Sequence, residues 1–218
     1  MIRLSFIVPF YKVEPYLEQC IRSLYEQDIP SDEYEVICVD DCSPDGCRAI
    51  VERLQHSFPT LRLVCHSKNK RQGSARNTGL KASQGKYVWF VDSDDYIVPN
   101  VLNLLLKEIE HYDLEVLEFD RNVVSLKGKV LYKTPDYVDN DIYSGIDYVT
   151  NQKYEAWHSR CSVAWRCLYR RSFLIQNELF FAENVMYEDT DWSLDGEKAK
   201  AGKKVKIQNL YQAINLLS

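Results

Sequence analysis

Several features are scarce in this chain of 218 residues, and each scarcity excludes a class of protein. No run approaches the roughly 20 consecutive apolar residues that a membrane-spanning helix needs. The apolar start at residues 2–9 is too short for a secretory signal peptide, so we expect a cytosolic chain. Glycine and proline number only 8 and 7, while 45% of the residues are hydrophobic. This composition argues against disorder and permits a full hydrophobic core.

Strong net charge and paired cysteine motifs are also lacking. The formal net charge is only -5, so bulk electrostatics do not favour nucleic acid as a partner, although local basic groups can still bind small anions. The seven cysteines are odd in number, show no Cys-x-x-Cys spacing and lie partly inside apolar runs such as residues 36–39. This pattern indicates reduced, mostly buried thiols rather than disulfides or a zinc site.

The first half of the chain alternates between strand and helix patterns. Apolar runs predict strands at residues 4–9, 34–39, 61–65 and 87–91. Helical spacing of apolar residues predicts helices at 14–27, 48–58, 74–82 and 101–109. This order predicts an α/β fold, in which helices flank both faces of a mostly parallel central sheet. Beyond residue 112 we expect strands at 115–119 and 203–207, an exposed hairpin at 123–133, and helices at 144–151 and 190–200.

The most informative segment is the acidic turn after the fourth predicted strand. Asp92, Asp94 and Asp95 fall within four residues, and carboxylates this close repel one another unless a cation lies among them. Mg²⁺ and Mn²⁺ take such oxygen ligands and often bridge them to phosphates, so the turn suggests a metal–diphosphate site. The alternative is that Asp94 and Asp95 only cap a helix that begins near Pro99.

Two earlier strand ends carry side chains that suit a nucleotide. Tyr11 follows Pro9 at the end of the first strand, where its ring could stack on a flat base or simply pack on its own helix. Asp41 follows the second strand, and a carboxylate there can accept a hydrogen bond from a ring N–H such as N3–H of uracil. We assign the nearby Asp45 a structural role in a turn.

Basic and small residues gather at the start of the third predicted helix. Lys70, Arg71 and Arg76 bring positive charge beside a helix N-terminus, which is a natural anion site, although a solvated basic loop is the simpler alternative. Gly73 and Ala75 would let the helix begin close to a ligand. The segment is therefore compatible with a diphosphate.

Two further Asp-x-Asp pairs occur later in the chain. Asp139 and Asp141 follow a Thr-Pro-Asp sequence and are interpreted as a solvated turn. Asp189 and Asp191, next to Glu188, precede the last predicted helix, where acidic residues often only complement the helix dipole. However, a reaction that deprotonates an alcohol needs a carboxylate near the reacting carbon, separate from those that bind a metal.

Five of these segments resemble family 2 glycosyltransferases in their order and spacing. They are Val-Pro-Phe-Tyr-Lys at 8–12, Val-Asp-Asp-Cys-Ser-Pro-Asp-Gly at 39–46, Gly-Ser-Ala-Arg-Asn-Thr-Gly-Leu at 73–80, Phe-Val-Asp-Ser-Asp-Asp-Tyr at 90–96 and Tyr-Glu-Asp-Thr-Asp at 187–191. The resemblance implies a GT-A fold, formed as a single Rossmann-like domain. Residues 1–112 would be its donor-binding half and residues 113–218 its acceptor-binding half.

The resemblance also assigns residues to a nucleotide-diphosphate sugar donor. By position, Pro9, Tyr11 and Asp41 would hold the nucleobase. Asp92 would approach the ribose, and Asp94 would bind a divalent metal, Mn²⁺ or Mg²⁺, on the diphosphate. The implied reaction moves the sugar, favoured to come from a UDP-sugar, with inversion to a hydroxyl of a carbohydrate or lipid-linked glycan acceptor. Polysaccharide or glycan assembly would be its setting.

Asp189 would be the general base of this reaction, with Glu188 as a neighbour that could substitute for it. Arg76 would either support the diphosphate or brace Asp92. Two departures from the family stand out, because Lys12 replaces a commoner Asn and no histidine that could join the metal follows His158.

Family members often continue beyond the position of Ser218 with acceptor-binding or membrane-associating segments. We therefore expect that residues are missing at the C-terminus, and that they could attach the protein peripherally to the inner face of the membrane. Two alternatives stay open. One is a metal-dependent nucleotidyltransferase, although it would be expected to carry a Gly-rich signature near the first strand, which residues 9–12 do not provide. The other is a catalytically idle nucleotide-sugar binding module that lacks a working base.

Overall fold

Strands and helices alternate through the first half of the chain, as its apolar pattern predicts. The computed structural model describes residues 1–119, 121–125, 130–133, 142–144, 164–183, 204–207 and 214–217. The first elements are β1 (Leu4–Phe10), α1 (Glu14–Tyr25), β2 (Tyr34–Asp40), α2 (Cys47–Gln55), β3 (Leu61–Cys65), α3 (Arg71–Ala82), β4 (Tyr87–Phe90), β5 (Tyr96–Ile97) and α4 (Leu102–His111). The later ones are β6 (Val116–Glu118), β7 (Arg121–Val124), β8 (Val130–Lys133), β9 (Ile142–Ser144), β10 (Cys167–Arg170), α5 (Arg171–Gln176), β11 (Lys204–Ile207) and β12 (Ile214–Leu217).

These strands form two sheets in the described part of the chain. The larger has the strand order β3-β2-β1-β4-β10-β6-β11-β9, and the smaller has the order β5-β12-β7-β8. Strands β1 to β4 pair in parallel, so their carboxyl ends share one edge of the large sheet, called the carboxyl edge below. Strand β10 lies antiparallel between β4 and β6. The predicted α/β fold with a helix-flanked central sheet is confirmed, and the sheet is mixed.

Both faces of the central sheet are buried, because successive side chains of its inner strands enter different cores. Phe6 and Val8 of β1 join a cluster with residues of α1, α2 and α4, whereas Ile7 packs with Leu80 of α3 and Phe173 of α5. Helix α3 lies so close to β1 that a Cβ atom added at Gly79 would overlap Cγ2 of Ile7. This close approach fixes α3 directly behind the carboxyl edge.

Several predictions need correction. Helix α3 begins at Arg71 rather than at Ser74, and α4 begins at Leu102, so Asp94 and Asp95 do not cap it. Ser144 is the last residue of strand β9, and the rest of the helix predicted at 144–151 lies outside the described residues. The predicted hairpin is confirmed by the antiparallel pairing of β7 with β8, but its first strand buries Asn122 and Val124 and is not exposed. Strands β5, β9, β10 and β12 were not anticipated.

Some predictions concern residues outside the described part of the chain. They include the helix at 190–200, the Asp139/Asp141 pair, the Asp189/Asp191 pair and Glu188. Within the described residues, no helix combines the length and the apolar character needed to cross a bilayer. The six described cysteines are all free thiols, and four of them are buried, as expected.

Candidate functional site

A cavity of about 470 Å³ opens at the carboxyl edge of the large sheet. Its wall includes the loops after β1, β2 and β4 and the first turns of α3. The structure brings together seven of the residues that the sequence singles out, and they line this cavity: Pro9, Tyr11, Asp41, Arg71, Ala75, Asp92 and Asp94. They converge because parallel strands place their carboxyl ends, and the loops that follow them, at the same edge.

Tyr11 supplies an aromatic ring to the cavity wall. Its side chain is 40% exposed, so the ring is not packed into the core beside its own helix. The neighbouring Lys12 adopts a left-handed backbone with a φ of 59°, and its Nζ lies 5.3 Å from the centroid of the Tyr11 ring. The Lys12 N–H donates a hydrogen bond of 2.8 Å to Oγ of Ser43. An accessible ring held in this way can stack on a nucleobase.

Helices α1 and α2 cap each other beside this cavity. The Asp45 carboxylate accepts the Glu14 N–H at 3.2 Å, and the Glu14 carboxylate accepts the Gly46 N–H at 2.8 Å. Neither helix receives a side-chain hydrogen bond from its own N-cap residue, so each takes a capping hydrogen bond from a residue beside the other helix. Asp45 also accepts the Cys47 N–H of α2 at 3.3 Å. The loops that carry Tyr11 and Asp41 are thereby fixed to each other, which fits the structural role predicted for Asp45.

Asp41 is only 3% exposed and reaches the cavity from the end of β2. Its Oδ1 atom accepts the Lys70 N–H at 2.8 Å and lies 2.8 Å from Nδ1 of His66. The sequence prediction overlooked His66. His66 could have been found from its position directly after β3. This position lies at the same sheet edge as the ends of β1, β2 and β4, which carry the predicted site residues.

Arg76 of α3 holds the Asp92 carboxylate through a hydrogen bond. The guanidinium is 1% exposed, and its Nη2 donates a hydrogen bond of 2.7 Å to Oδ1 of Asp92. Gln72, which was also overlooked, donates to the same oxygen at 2.8 Å. The Arg76 guanidinium carbon lies 5.1 Å from the centroid of the Phe181 ring. Of the two roles predicted for Arg76, the geometry matches the bracing of Asp92.

Asp94 is the exposed carboxylate of the cavity. Partial desolvation and the nearby Asp92 charge raise the pKa of Asp94 above its ordinary value. No other side chain in the described part of the chain donates a hydrogen bond to it, so its oxygens are available to a cation. Asp95 is 7% exposed, and its N–H donates to the Asp92 carbonyl at 3.0 Å, which closes the turn.

These features fit a divalent metal at Asp94. A cation would relieve the repulsion between Asp92 and Asp94, and carboxylate oxygens are the ligands that Mn²⁺ and Mg²⁺ accept. Within the described residues, no group of three or more His, Cys, Asp or Glu side chains could hold a metal alone. Asp94 would therefore need further ligands from outside this part of the chain to complete the coordination shell.

Comparisons with known proteins agree with this geometry. Residues 5–177 match the sequence model described as "Glycosyl transferase family 2". The chain is 32% identical over 209 residues to the uncharacterized glycosyltransferase EpsJ of Bacillus subtilis. This alignment covers 95% of this chain and 59% of EpsJ. It is 36% identical over 128 residues to the poly(ribitol-phosphate) beta-N-acetylglucosaminyltransferase TarS of Staphylococcus aureus. This alignment covers 59% of this chain and 22% of TarS.

The fold also matches solved structures over the length of the chain. The crystal structure of S. aureus TarS 1-349 in complex with UDP-GlcNAc matches 100% of this chain with a TM-score of 0.82 and 26% identity. The mannosyltransferase PcManGT of Pyrobaculum calidifontis shares the fold, with a TM-score of 0.70 and 20% identity. The chain spans 59% of the TarS 1-349 chain and 59% of EpsJ, which is about three fifths of each.

Proposed function

The chain belongs to glycosyl transferase family 2, and from that premise we propose that it transfers a sugar from a UDP-sugar to a hydroxyl of a glycan acceptor, with inversion at the anomeric carbon. The family assignment favours this reaction over nucleotidyl transfer. The alternative that remains is an idle module that binds the nucleotide sugar without a working base.

One observation carries the proposal. The cavity at the carboxyl edge combines an accessible ring, a buried carboxylate and an exposed carboxylate, contributed by Tyr11, Asp41 and Asp94. The fold that presents them matches, over the full chain, a TarS structure that contains UDP-GlcNAc. A UDP-sugar offers the complementary groups: a flat base with an N–H, a ribose and a charged diphosphate.

The base, the ribose and the diphosphate of the donor would then each have a protein partner. Pro9 and Tyr11 would contact the base, whose N–H would donate to Asp41, and Asp92 would face the ribose. Arg76 and Gln72 hold the Asp92 carboxylate in one orientation. Asp94 would hold the metal, which, when bound, would neutralise charge that grows on the departing diphosphate.

We further propose that Asp189 accepts the proton of the acceptor hydroxyl as its oxygen attacks the anomeric carbon. The new glycosidic bond forms while the bond to the diphosphate breaks, so a single displacement inverts the configuration. Glu188 is the neighbouring carboxylate that could take this role instead.

The acceptor is proposed from chemistry and relatives together. TarS is named as a poly(ribitol-phosphate) beta-N-acetylglucosaminyltransferase, so we propose a hydroxyl-rich surface glycan or its lipid-linked precursor as the acceptor class. Such an assembly would use cytoplasmic nucleotide sugars at the inner face of the membrane, which agrees with the localisation expected from the sequence.

The test is calorimetric titration of the chain with UDP-, GDP- and dTDP-sugars, each with and without Mn²⁺. We expect UDP-sugars to bind and Mn²⁺ to tighten their binding. If no nucleotide sugar binds under either condition, the transferase proposal fails.

The idle-module alternative is tested by Asp189→Asn and Glu188→Gln in a donor-turnover assay that detects released UDP. Asp189→Asn should bind donor as the native chain does and lose turnover. Unchanged turnover in Asp189→Asn, with loss in Glu188→Gln, would assign the base to Glu188. A native chain that binds UDP-sugar but never releases UDP with any glycan acceptor would support the idle module.

A further inference from the structure

A buried histidine lies behind the carboxylate that faces the nucleobase. The His66 and Asp41 side chains are 5% and 4% exposed, and Nδ1 of His66 lies 2.8 Å from Oδ1 of Asp41. On the other side of the ring, Nε2 lies 2.9 Å from Oγ1 of Thr78, which in turn lies 2.9 Å from the Ser74 carbonyl oxygen. Strand ends and α3 are thus connected through one imidazole ring.

Hydrogen-bond accounting fixes where the His66 proton lies. A carboxylate only accepts hydrogen bonds, so Nδ1 must carry the proton that points to Asp41. A neutral ring then accepts the Thr78 hydroxyl at Nε2. A protonated ring instead donates to Thr78, whose own proton goes to the Ser74 carbonyl. Nδ1 donates to Asp41 in both states, so the contact does not depend on the charge of the ring.

The two protein donors to Asp41 use the same oxygen atom. His66 and the Lys70 N–H both reach Oδ1, and within the described residues no hydrogen bond falls on Oδ2. Oδ2 also does not belong to the buried, unpartnered polar atoms of the described chain, so it keeps access to solvent. Because Asp41 lines the cavity, the free oxygen is the one that can meet a ligand.

We propose that His66 is a positioning residue for the donor nucleobase: its Nδ1–H holds Oδ1 of Asp41 so that Oδ2 receives the N3–H of uracil. This inference rests on the proposed function. The Lys70 N–H belongs to the backbone and cannot be removed by substitution, whereas the His66 ring can. Charge-assisted hydrogen bonds of this kind are short and directional, so their loss lets the carboxylate rotate away from the base.

Two substitutions test the hydrogen bonds of the two ring nitrogens separately. In Asn, the amide nitrogen stands the same number of bonds from Cα as Nδ1, so His66→Asn can retain the donor to Asp41 while losing Thr78. In Gln, the amide lies one bond further out, at the position of Nε2, so His66→Gln can retain Thr78 while losing Asp41. Each variant loses one hydrogen bond, which makes the pair matched for stability.

The probes are UDP and its analogue methylated at N3, titrated into the full chain with Mn²⁺. For UDP, we expect His66→Gln to raise Kd about tenfold, equivalent to about 1.4 kcal/mol, and His66→Asn to raise it less than about threefold. The methylated analogue has no N3–H to donate, so His66→Gln should change its Kd by less than about twofold. Melting temperatures and circular dichroism spectra of both variants accompany the titrations.

Two results would overturn the inference. Equal weakening of UDP and of the methylated analogue by His66→Gln would show that His66 only supports the cavity wall. Native affinity for UDP in His66→Gln would show that Asp41 needs no positioning partner. Both results presuppose that the native chain binds UDP, so they are distinct from a failure of the proposed function, in which the native chain binds no nucleotide.

Discussion

The negative charge of Asp94 lowers the stability of the metal-free protein. Desolvation and the neighbouring Asp92 raise the pKa of Asp94. A group whose pKa is higher in the folded than in the unfolded state contributes stability at low pH, and that contribution is lost as the pH rises through the folded pKa. At neutral pH the ionised Asp94 therefore destabilises the metal-free protein, and a bound cation would remove this penalty.

We expect Asp94→Asn to separate stability from ligand binding. Without the charge, the variant should melt about 1–2 °C above the native chain in EDTA at pH 7, a shift that corresponds to less than 1 kcal/mol. The same variant should lose the Mn²⁺-dependent part of its UDP affinity. Differential scanning fluorimetry and calorimetry measure the two effects.

The control for Asp94→Asn is Asp32→Asn, which removes one negative charge from an exposed residue far from the cavity. It should change neither the melting temperature nor the affinity for UDP. A lower melting temperature for Asp94→Asn in EDTA would contradict the assigned charge repulsion.

Strand-end side chains could be predicted from the sequence at this scale, but their supporting partners could not. Tyr11, Asp41 and Asp94 each lie shortly after the end of an apolar run, and parallel strands bring such positions together. Gln72 reaches Asp92 only because α3 begins three residues earlier than its apolar pattern suggests. Such contacts depend on the register of α3 against β1, which local sequence does not contain.

At the scale of elements, sequence patterns identified β1 to β4 and missed β5, β9, β10 and β12. β1, β2 and β4 are mostly apolar and buried along their whole length, whereas β3 is partly exposed. β10 is Cys-Leu-Tyr-Arg within a basic and aromatic region, and its place between β4 and β6 depends on pairing with distant strands. β5 contains two residues and exists only because β12 pairs with it.

The reciprocal caps of α1 and α2 lead to a test at the element scale. A Cβ atom at Gly46 would lie 2.5 Å from Oε1 of Glu14, so Gly46→Ala must displace that carboxylate and lose its hydrogen bond. We expect a loss of about 1 kcal/mol in the free energy of unfolding, measured with urea. The φ of Gly46 is -74°, which alanine adopts without strain.

The background variant Glu14→Ala is the control for that test. With the carboxylate already absent, Gly46→Ala should be neutral or slightly stabilising, because alanine restricts the unfolded chain. If Gly46→Ala costs the same free energy in both backgrounds, the two groups are not coupled and the proposed cap is unimportant for stability.

At the scale of the whole molecule, the acidic turn lies where the two sheets meet. Asp92 and Asp94 leave the large sheet at the end of β4, and the chain enters the small sheet at β5 immediately afterwards. β5 pairs with β12, which also pairs in parallel with β7. A strand near the end of the described chain therefore supports the backbone beside the proposed metal ligand.

This arrangement predicts that β12 contributes to donor binding without contacting the donor. Asn215→Pro removes a backbone N–H from the strand that pairs with both Tyr96 and Asn122, and proline is poorly tolerated inside a sheet. We expect about tenfold weaker Mn²⁺-dependent binding of UDP and faster amide hydrogen exchange at Tyr96. Exchange in β1 and β2 should be unchanged, because these strands keep their parallel pairing with each other and with β3 and β4. Asn215→Ala, which keeps the N–H, is the matched control. Unaltered exchange at Tyr96 and native affinity in Asn215→Pro would show that the turn is held by the large sheet alone.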